Sequence, residues 1–228
     1  VPEYYPVVRE TCDRYDLLWI ADEIMTGVGR TGTFLAIEQW GVLPDLVVLA
    51  KGLSSGYVPL AAILIQEKVF RAFRDTKTAF IGGHTYNSHP VTAAAGLSVL
   101  NYLEKRRVIE GVGKKGRLLS DGLRSVAERH SIAGDVRGKG LMWGIEFVQN
   151  KKTRQPFDPC QKVTHMVTTR AMENGLLVYP VSGCADGKSG DGILICPPLV
   201  ISNDEIEILV NRLDETLGTV TDELCNSV

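Results

Sequence analysis

The sequence has no excess of basic residues. Its 25 lysines and arginines are balanced by 27 aspartates and glutamates, which gives a formal net charge of −2. Nucleic acids and anionic membrane surfaces attract proteins through clustered positive charge, so we expect neither as a partner. The apolar runs, such as residues 46–50 and 61–65, fall far short of the ~18 residues of a membrane span. The chain of 228 residues is therefore expected to form one or two globular domains.

Cysteine is scarce and irregularly spaced. The five cysteines are odd in number and form no C-x-x-C pair, which argues against a disulfide framework or a structural zinc site. His84 and His89 have no neighbouring cysteine or carboxylate to complete a metal site, so we predict no metal. Free thiols favour a reducing, cytoplasmic location. The chain begins with Val1 and has no signal segment, so we expect a piece of a longer chain.

The first hundred residues alternate apolar runs with helical patterns. Three continuous apolar runs, at residues 17–21, 46–50 and 61–65, predict strands that are buried on both faces. Helical patterns precede the first run at residues 4–15 and follow the third at residues 67–74. Buried strands that alternate with helices predict an α/β domain with a mainly parallel sheet.

The pattern changes from Pro90 onward. Proline is suited to the first position of a helix, and the following residues are rich in alanine and leucine. Strand-like and helical segments then alternate, and Asn203-Asp204 caps a final amphipathic helix. The predicted segments are helices at 91–107, 113–129, 160–174 and 205–217, with strands near 136, 141–148, 176–179 and 193–196. We therefore predict that residues 1–107 belong to a large α/β domain and residues 108–228 form a small α+β domain.

Two ionisable residues directly follow apolar runs. Asp22 comes after the first run and Lys51 after the second, and ligands of open α/β sheets bind beyond the carboxyl ends of the strands. A lysine desolvated there would have a lowered pKa and could form a Schiff base with a carbonyl. A nearby carboxylate would keep the ring nitrogen of a pyridine cofactor protonated. The structural alternatives are a loop cap for Asp22 and a solvated lysine at a strand end for Lys51.

Residues 27–32 match the pattern GxGxxG, which is the fingerprint of dinucleotide binding. That fingerprint opens a helix immediately after its strand and has an acidic residue about 20 positions further on. Here residues 22–26 intervene, and no acidic strand end lies at the required distance. We therefore interpret the glycines as permitting a tight loop with positive φ beside the active site. A nicotinamide oxidoreductase is the alternative that rests on this loop alone.

The same segments resemble class III pyridoxal-phosphate-dependent aminotransferases. The resemblance rests on ADEIMTGVGRTG at 21–32, Pro44-Asp45 and AKGLSSG at 50–56, with 29 residues from Asp22 to Lys51. Further similar segments are GHTYNSHP at 83–90 and CPPLVIS at 196–202. The resemblance spans nearly the whole chain. It implies part of the large domain of a type I pyridoxal-phosphate enzyme, followed by a small C-terminal domain.

The resemblance also implies a role for each matching residue. Lys51 would form the Schiff base with pyridoxal 5'-phosphate and move the proton, and Asp22 would pair with the pyridinium nitrogen. Ile24 would pack against the ring. Met25 stands where some members have a glutamine that reaches the phenolic oxygen. Thr85 would donate to the cofactor phosphate of the neighbouring subunit, which implies a homodimer with shared active sites.

The implied activity is transfer of an amino group between an amine or amino acid and a 2-oxo acid or aldehyde. Family members carry, upstream of the matched part, a loop that holds the cofactor phosphate and an aromatic residue that stacks on the ring. No counterpart occurs in this sequence, so we expect the C-terminal portion of the family pattern. Two alternatives stay open: a truncated, catalytically incompetent homologue that acts through dimer or partner contacts, and another activity of the family, such as racemase, mutase or decarboxylase.

Overall fold

The computed structural model describes residues 1–83 and 85–226. His84, considered above as a metal ligand, lies outside the described residues. The chain folds into two compact units, of which the first is Val1–Glu110 and the second begins at Gly111. The assignment of residues 1–107 to a cofactor-binding domain and of residues 108–228 to a small domain stays a prediction.

The three apolar runs form strands in the first unit, with a helix before the first run and helices after the third. Pro90 occupies the first turn of its helix, where a missing N–H leaves no hydrogen bond unmade. Short 3₁₀ turns at Ala36–Trp40 and Lys51–Ser54 follow β1 and β2. The helices are α1 (Tyr4–Arg14), α2 (Glu67–Thr76) and α3 (Pro90–Lys105), and the strands are β1 (Ile20–Asp22), β2 (Leu46–Leu49) and β3 (Ala62–Ile65).

The three strands form one mixed sheet in the order β1-β2-β3. β1 and β2 are parallel, with Ile20 opposite Leu46 and Asp22 opposite Val48. β3 is antiparallel to β2, an arrangement that is common at the edge of a sheet in α/β proteins. The expected class, a partial α/β domain, is confirmed. The parallel pair brings the carboxyl ends of β1 and β2 to the same edge of the sheet.

The first apolar run is buried on alternate residues only. Trp19 and Ala21 are buried, whereas Leu18 and Ile20 are exposed. The third run is more open still, because Ile63, Leu64 and Ile65 of β3 are all exposed. The expectation that these strands are buried on both faces is therefore wrong within this chain. Apolar composition predicted the strands but not how many faces are covered.

The second unit is a four-stranded antiparallel sheet with helices packed on it. The strand order is β4-β5-β7-β6, and every pairing is antiparallel. Its core joins Leu119 and Leu123 of α4 to Ile145 of β5, Ile193 of β7 and Leu213 of α6. This arrangement agrees with the α+β pattern read from the sequence. The elements are α4 (Val108–Arg129), β4 (Ala133–Lys139), β5 (Met142–Phe147), α5 (Val163–Glu173), β6 (Tyr179–Ser182), β7 (Asp191–Ile195) and α6 (Asn203–Asn226).

A helix that crosses a bilayer needs about 20 consecutive residues of predominantly apolar character. Among the described residues, no helix combines sufficient length with sufficient apolar character to cross a membrane.

Candidate active site at the edge of the first sheet

Asp22 and Lys51 lie beyond the carboxyl ends of neighbouring parallel strands. Asp22 ends β1 and is paired in register with Val48, while Lys51 follows β2 three positions after Val48. Both residues are exposed at this edge. A carboxylate and an amine are therefore presented on adjacent strands of one sheet edge, where ligands of α/β proteins bind.

The Asp22 carboxylate is oriented by the backbone of its own turn. Its Oδ1 accepts a hydrogen bond from the Ile24 N–H at 3.0 Å. The Glu23 N–H donates to the Val48 carbonyl at 3.0 Å and so continues the parallel ladder past Asp22. Oδ1 is thus hydrogen-bonded within the turn, and Oδ2 has no hydrogen-bond partner among the described residues.

Lys51 has a strained backbone. Its φ is +38°, in the left-handed region that residues with a side chain rarely adopt. The 3₁₀ turn that begins at Lys51 is closed by the Leu53 N–H, which donates to the Ala50 carbonyl at 2.9 Å. Strained conformations of this kind persist only where the surrounding structure imposes them, and they cluster at functional sites.

The other predicted site residues are placed in two different segments. Ile24 is half-buried and Met25 is 44% exposed, and both continue the turn after Asp22. Thr85 is exposed in a turn of residues 85–88. The N-cap of α3 is His89, so Thr85 lies ahead of the helix entry and does not cap it. The structure brings Asp22, Ile24 and Met25 to the same sheet edge as Lys51, and it records no contact among the described residues that joins Thr85 to them.

The glycine-rich loop between β1 and β2 has the predicted positive φ angles. Gly29 and Gly32 have φ of +90° and +105°, and Val28 also lies in the left-handed region with φ of +54°. The loop leads into the 3₁₀ turn at Ala36–Trp40. It therefore does not open the α-helix whose N-terminus a dinucleotide fingerprint needs for its pyrophosphate.

Glu23 is a buried carboxylate whose role was not predicted from the sequence. It is 3% exposed, and its carboxylate accepts hydrogen bonds from the Thr26 hydroxyl at 2.5 Å, the Ala36 N–H at 3.0 Å and the Ile37 N–H at 2.8 Å. These bonds close the whole loop from residue 23 to residue 37. The available signal was the alternation of the strand, which places Glu23 on the buried face with Trp19 and Ala21.

Two charged residues of the second unit, Arg137 and Lys188, have different surroundings. Arg137 donates to Asp135 at 2.6 Å and to Glu146 at 2.7 Å, and the hydrogen bond to Glu146, followed by that to Asp135, raises the pKa of its guanidinium. Lys188 borders a cavity of about 430 Å³ that Lys162 and His165 also line. Arg137 is thus a cross-strand pairing residue of β4 and β5.

Comparison with known proteins agrees with the resemblance drawn from the motifs. The family described as aminotransferase class-III matches residues 1–217. An uncharacterized aminotransferase of Bacillus subtilis, YodT, is 42% identical over 98% of this chain and 50% of its own length. The adenosylmethionine-8-amino-7-oxononanoate aminotransferase of Geobacter sulfurreducens is 38% identical over 94% of this chain and 46% of its own length.

Solved structures give the same result. A transaminase from the marine bacterium Virgibacillus superposes with a TM-score of 0.94 and 32% identity, over 98% of this chain and 50% of that one. An amine transaminase from an uncultivated Pseudomonas species in its PLP-bound form superposes with a TM-score of 0.88 and 36% identity, over 96% of this chain and 48% of that one. The chain spans about half the length of the relatives that it matches.

The fold and the sequence comparisons therefore lead to one conclusion. The chain belongs to the class-III aminotransferases, whose cofactor is pyridoxal 5'-phosphate.

Proposed function

We propose that the protein is an aminotransferase that moves an amino group between an amine or amino acid and a 2-oxo acid or aldehyde, with Lys51 as the residue that holds the cofactor. The observation that carries this proposal is the placement of Lys51 and Asp22 beyond the carboxyl ends of two adjacent parallel strands. Membership of the family supports it, as do relatives that are named aminotransferases.

The residues at this sheet edge suit pyridoxal 5'-phosphate chemically. An exposed primary amine at Lys51 can condense with an aldehyde, and the exposed carboxylate of Asp22 can pair with a protonated ring nitrogen. When bound, pyridoxal phosphate supplies an electron sink that stabilises negative charge on the substrate carbon. Asp22 is also pre-oriented, because its Oδ1 is held by the Ile24 N–H.

Each residue of the site has a role in this proposal. Lys51 Nζ would hold the cofactor covalently until the substrate amine displaces it, and the freed amine would then take a proton from the substrate carbon and return it to the cofactor carbon. Asp22 would keep the ring nitrogen protonated, and Ile24 would pack against the ring. Met25 would stand at the position from which some family members reach the phenolic oxygen, and its thioether has no proton to donate there.

Thr85 extends the proposal to a homodimer. Its hydroxyl would donate to the cofactor phosphate of the neighbouring subunit, so two subunits would share each site. Thr85 is exposed in its turn, which leaves the hydroxyl accessible to a second chain. Analytical ultracentrifugation of the active enzyme tests this point. A stable monomer with full activity would contradict the shared site.

Covalent capture of the cofactor tests the role of Lys51. The full natural protein is incubated with pyridoxal phosphate, dialysed, reduced with borohydride and mapped by peptide mass spectrometry. We expect a retained visible band and an adduct on Lys51 in the wild type, and neither in Lys51→Ala. Lys77→Ala is the matched control, because Lys77 is also an exposed lysine with a left-handed φ, of +54°. A Lys51→Ala protein that still captures the cofactor would refute the assignment.

The reaction itself is tested by product analysis. A 2-oxo acid acceptor should be converted to the corresponding amino acid in step with loss of the amino donor. Racemisation, intramolecular amino transfer or release of carbon dioxide without an acceptor would instead favour the racemase, mutase or decarboxylase alternatives.

The truncated, non-catalytic alternative rests on one observation, which is that the chain spans about half the length of its relatives. Turnover by the 228-residue chain alone would dismiss this alternative. A cytoplasmic location is proposed because no disulfide joins any of the cysteines among the described residues, a state that reducing compartments maintain. Cell fractionation tests the location.

A further inference from the structure

The glycine-rich loop packs directly against the strand and turn that carry Lys51. A Cβ added at Gly27 would lie 2.7 Å from the Glu23 carbonyl oxygen and 2.8 Å from Leu49 Cδ2. Real Cβ contacts are not found at such distances, so the loop backbone is closely packed between Glu23 and the last residue of β2. The loop and the end of β2 are therefore in contact two residues before Lys51.

Val28 continues this contact to the residue after Lys51. Val28 is 2% exposed, and a Cβ added at Gly52 would lie 3.1 Å from Val28 Cβ and 3.7 Å from each of its methyl carbons. The Val28 side chain is thus seated against the backbone of Gly52. Because Gly52 is bonded to Lys51, the Val28 side chain packs against the turn that starts at Lys51.

The conformation of Val28 is costly and is imposed by its surroundings. A β-branched residue at φ of +54° is a rare outlier, and glycine would adopt this φ freely. Hydrogen bonds hold the loop on both sides: the Gly27 N–H donates to the Glu23 carbonyl at 2.9 Å, and the Gly29 N–H donates to the Phe34 carbonyl at 3.3 Å. Val28 thus places a side chain against Gly52 at a position where a glycine would leave none.

We propose that Val28 is a positioning residue for Lys51. The buried Val28 side chain supports Gly52 and thereby holds the left-handed backbone of Lys51, which directs the Lys51 amine at the sheet edge. This inference rests on the proposed role of Lys51. Val28 occupies the first variable position of the GxGxxG pattern, and the proposal gives this position a role other than nucleotide binding.

The first test measures Lys51 reactivity in Val28→Ala. Cofactor-free full-length protein is mixed with pyridoxal phosphate over a range of pH, reduced at timed intervals and digested, and the adducts on Lys51 and Lys77 are counted in the same sample. We expect the rate at Lys51 to fall about 10- to 100-fold, the scale on which a small misplacement slows a reaction. The rate at Lys77 should be unchanged.

The matched control is Val126→Ala, which makes the same truncation at a fully buried valine of α4 in the second unit. This variant should lose thermal stability and keep the wild-type rate at Lys51. If Val28→Ala loses stability while its Lys51 rate and pH profile stay those of the wild type, Val28 is only a core residue and the inference is overturned. A wild type without an adduct on Lys51 would overturn the proposed function as well, so the two failures are distinguishable.

The second test exchanges size across the contact. Gly52→Ala adds a methyl group against Val28 and should slow the reaction at Lys51, whereas the double variant Val28→Gly/Gly52→Ala removes the opposing side chain. We expect the double variant to react faster than Gly52→Ala, because the contact is refilled from the other side. The single variant Val28→Gly completes the comparison. If the rate reductions at Lys51 in Val28→Gly and Gly52→Ala multiply to give that of the double variant, the contact does not position Lys51.

Discussion

Arg9 and Asp45, 36 positions apart in the sequence, are joined by a hydrogen bond of 2.9 Å from Arg9 Nη1 to Asp45 Oδ2. The Asp45 side chain is fully buried, and it also accepts the Trp19 N–H at 2.7 Å and pairs with Lys68. One carboxylate therefore ties α1, β1 and α2 to the start of β2. This clamp lies at the end of the parallel strands opposite to Asp22 and Lys51.

The first prediction concerns the stability that this clamp provides. Asp45→Asn removes the charge that Arg9 and Lys68 face, and we expect it to lower the free energy of unfolding by about 2 kcal/mol, the scale of hydrogen bonds to a buried charge. Urea denaturation measures the loss. Asp13→Asn is the control, because Asp13 also pairs with Arg9 but is 64% exposed. Its effect should stay below about 1 kcal/mol, and equal losses in the two variants would contradict the clamp.

The second prediction is an acid dependence of stability that arises from the same carboxylate. Burial by itself would raise the pKa of Asp45, but the hydrogen bonds from Lys68, the Trp19 N–H and Arg9 lower it from 3.8 to about 2. Since the folded pKa is below the unfolded one, the contribution is present above about pH 4 and is lost as the pH falls towards 2.

This acid dependence is measured by urea denaturation at a series of pH values. Wild-type protein should lose more stability than Asp45→Asn over the interval below about pH 4, because only the wild type has this carboxylate to protonate. Parallel curves for the two proteins over that interval would show that Asp45 does not contribute in this way.

The third prediction concerns the loop that Glu23 closes. In Glu23→Gln an NH₂ group replaces one of the two carboxylate oxygens, and each of these oxygens accepts a backbone N–H that can only donate. The bond from either the Ala36 N–H or the Ile37 N–H is therefore lost. We expect a loss of about 1–3 kcal/mol in unfolding free energy. Thermal or urea unfolding provides the measurement.

The control for this prediction is Glu38→Gln in the same segment. Glu38 is exposed and its carboxylate accepts the Leu35 N–H at 2.9 Å, a bond that the amide oxygen of glutamine can keep. Its stability should remain close to that of the wild type. A Glu23→Gln protein as stable as Glu38→Gln would mean that the buried hydrogen bonds do not hold the loop.

The sequence predicted which residues lie together at the sheet edge, but not the residues that pack behind them. Strand-length apolar runs located β1 and β2, and the rule that ligands bind beyond their carboxyl ends placed Asp22 and Lys51 together. The support by Val28 was not predictable, because a β-branched residue gives no sequence signal for a left-handed φ. The packing of Val28 against Gly52 is a contact between distant parts of the sequence, which a local pattern does not reveal.

Burial was the other quantity that the apolar runs did not determine. Leu18, Ile20 and Ile63 are apolar yet exposed. Hydrophobicity shows that a strand can be covered, but it does not show which element covers it. The chain spans about half the length of its relatives. The motifs that show the family are thus read from the sequence, whereas the cover of each strand face is not.

The last prediction contrasts two glycines of α4, since alanine is the better helix former at both unless packing intervenes. A Cβ added at Gly116 would lie 2.8 Å from the Gly140 carbonyl carbon and 2.9 Å from its Cα, whereas one added at Gly111 meets only the end of the Lys115 side chain at 4.0 Å. We expect Gly111→Ala to raise unfolding stability by about 0.5–1 kcal/mol and Gly116→Ala to lower it by about 1–3 kcal/mol. Thermal unfolding of both variants checks the signs. A stabilising Gly116→Ala would show that α4 does not need glycine to approach the turn at Gly140, and that helix propensity alone governs both positions.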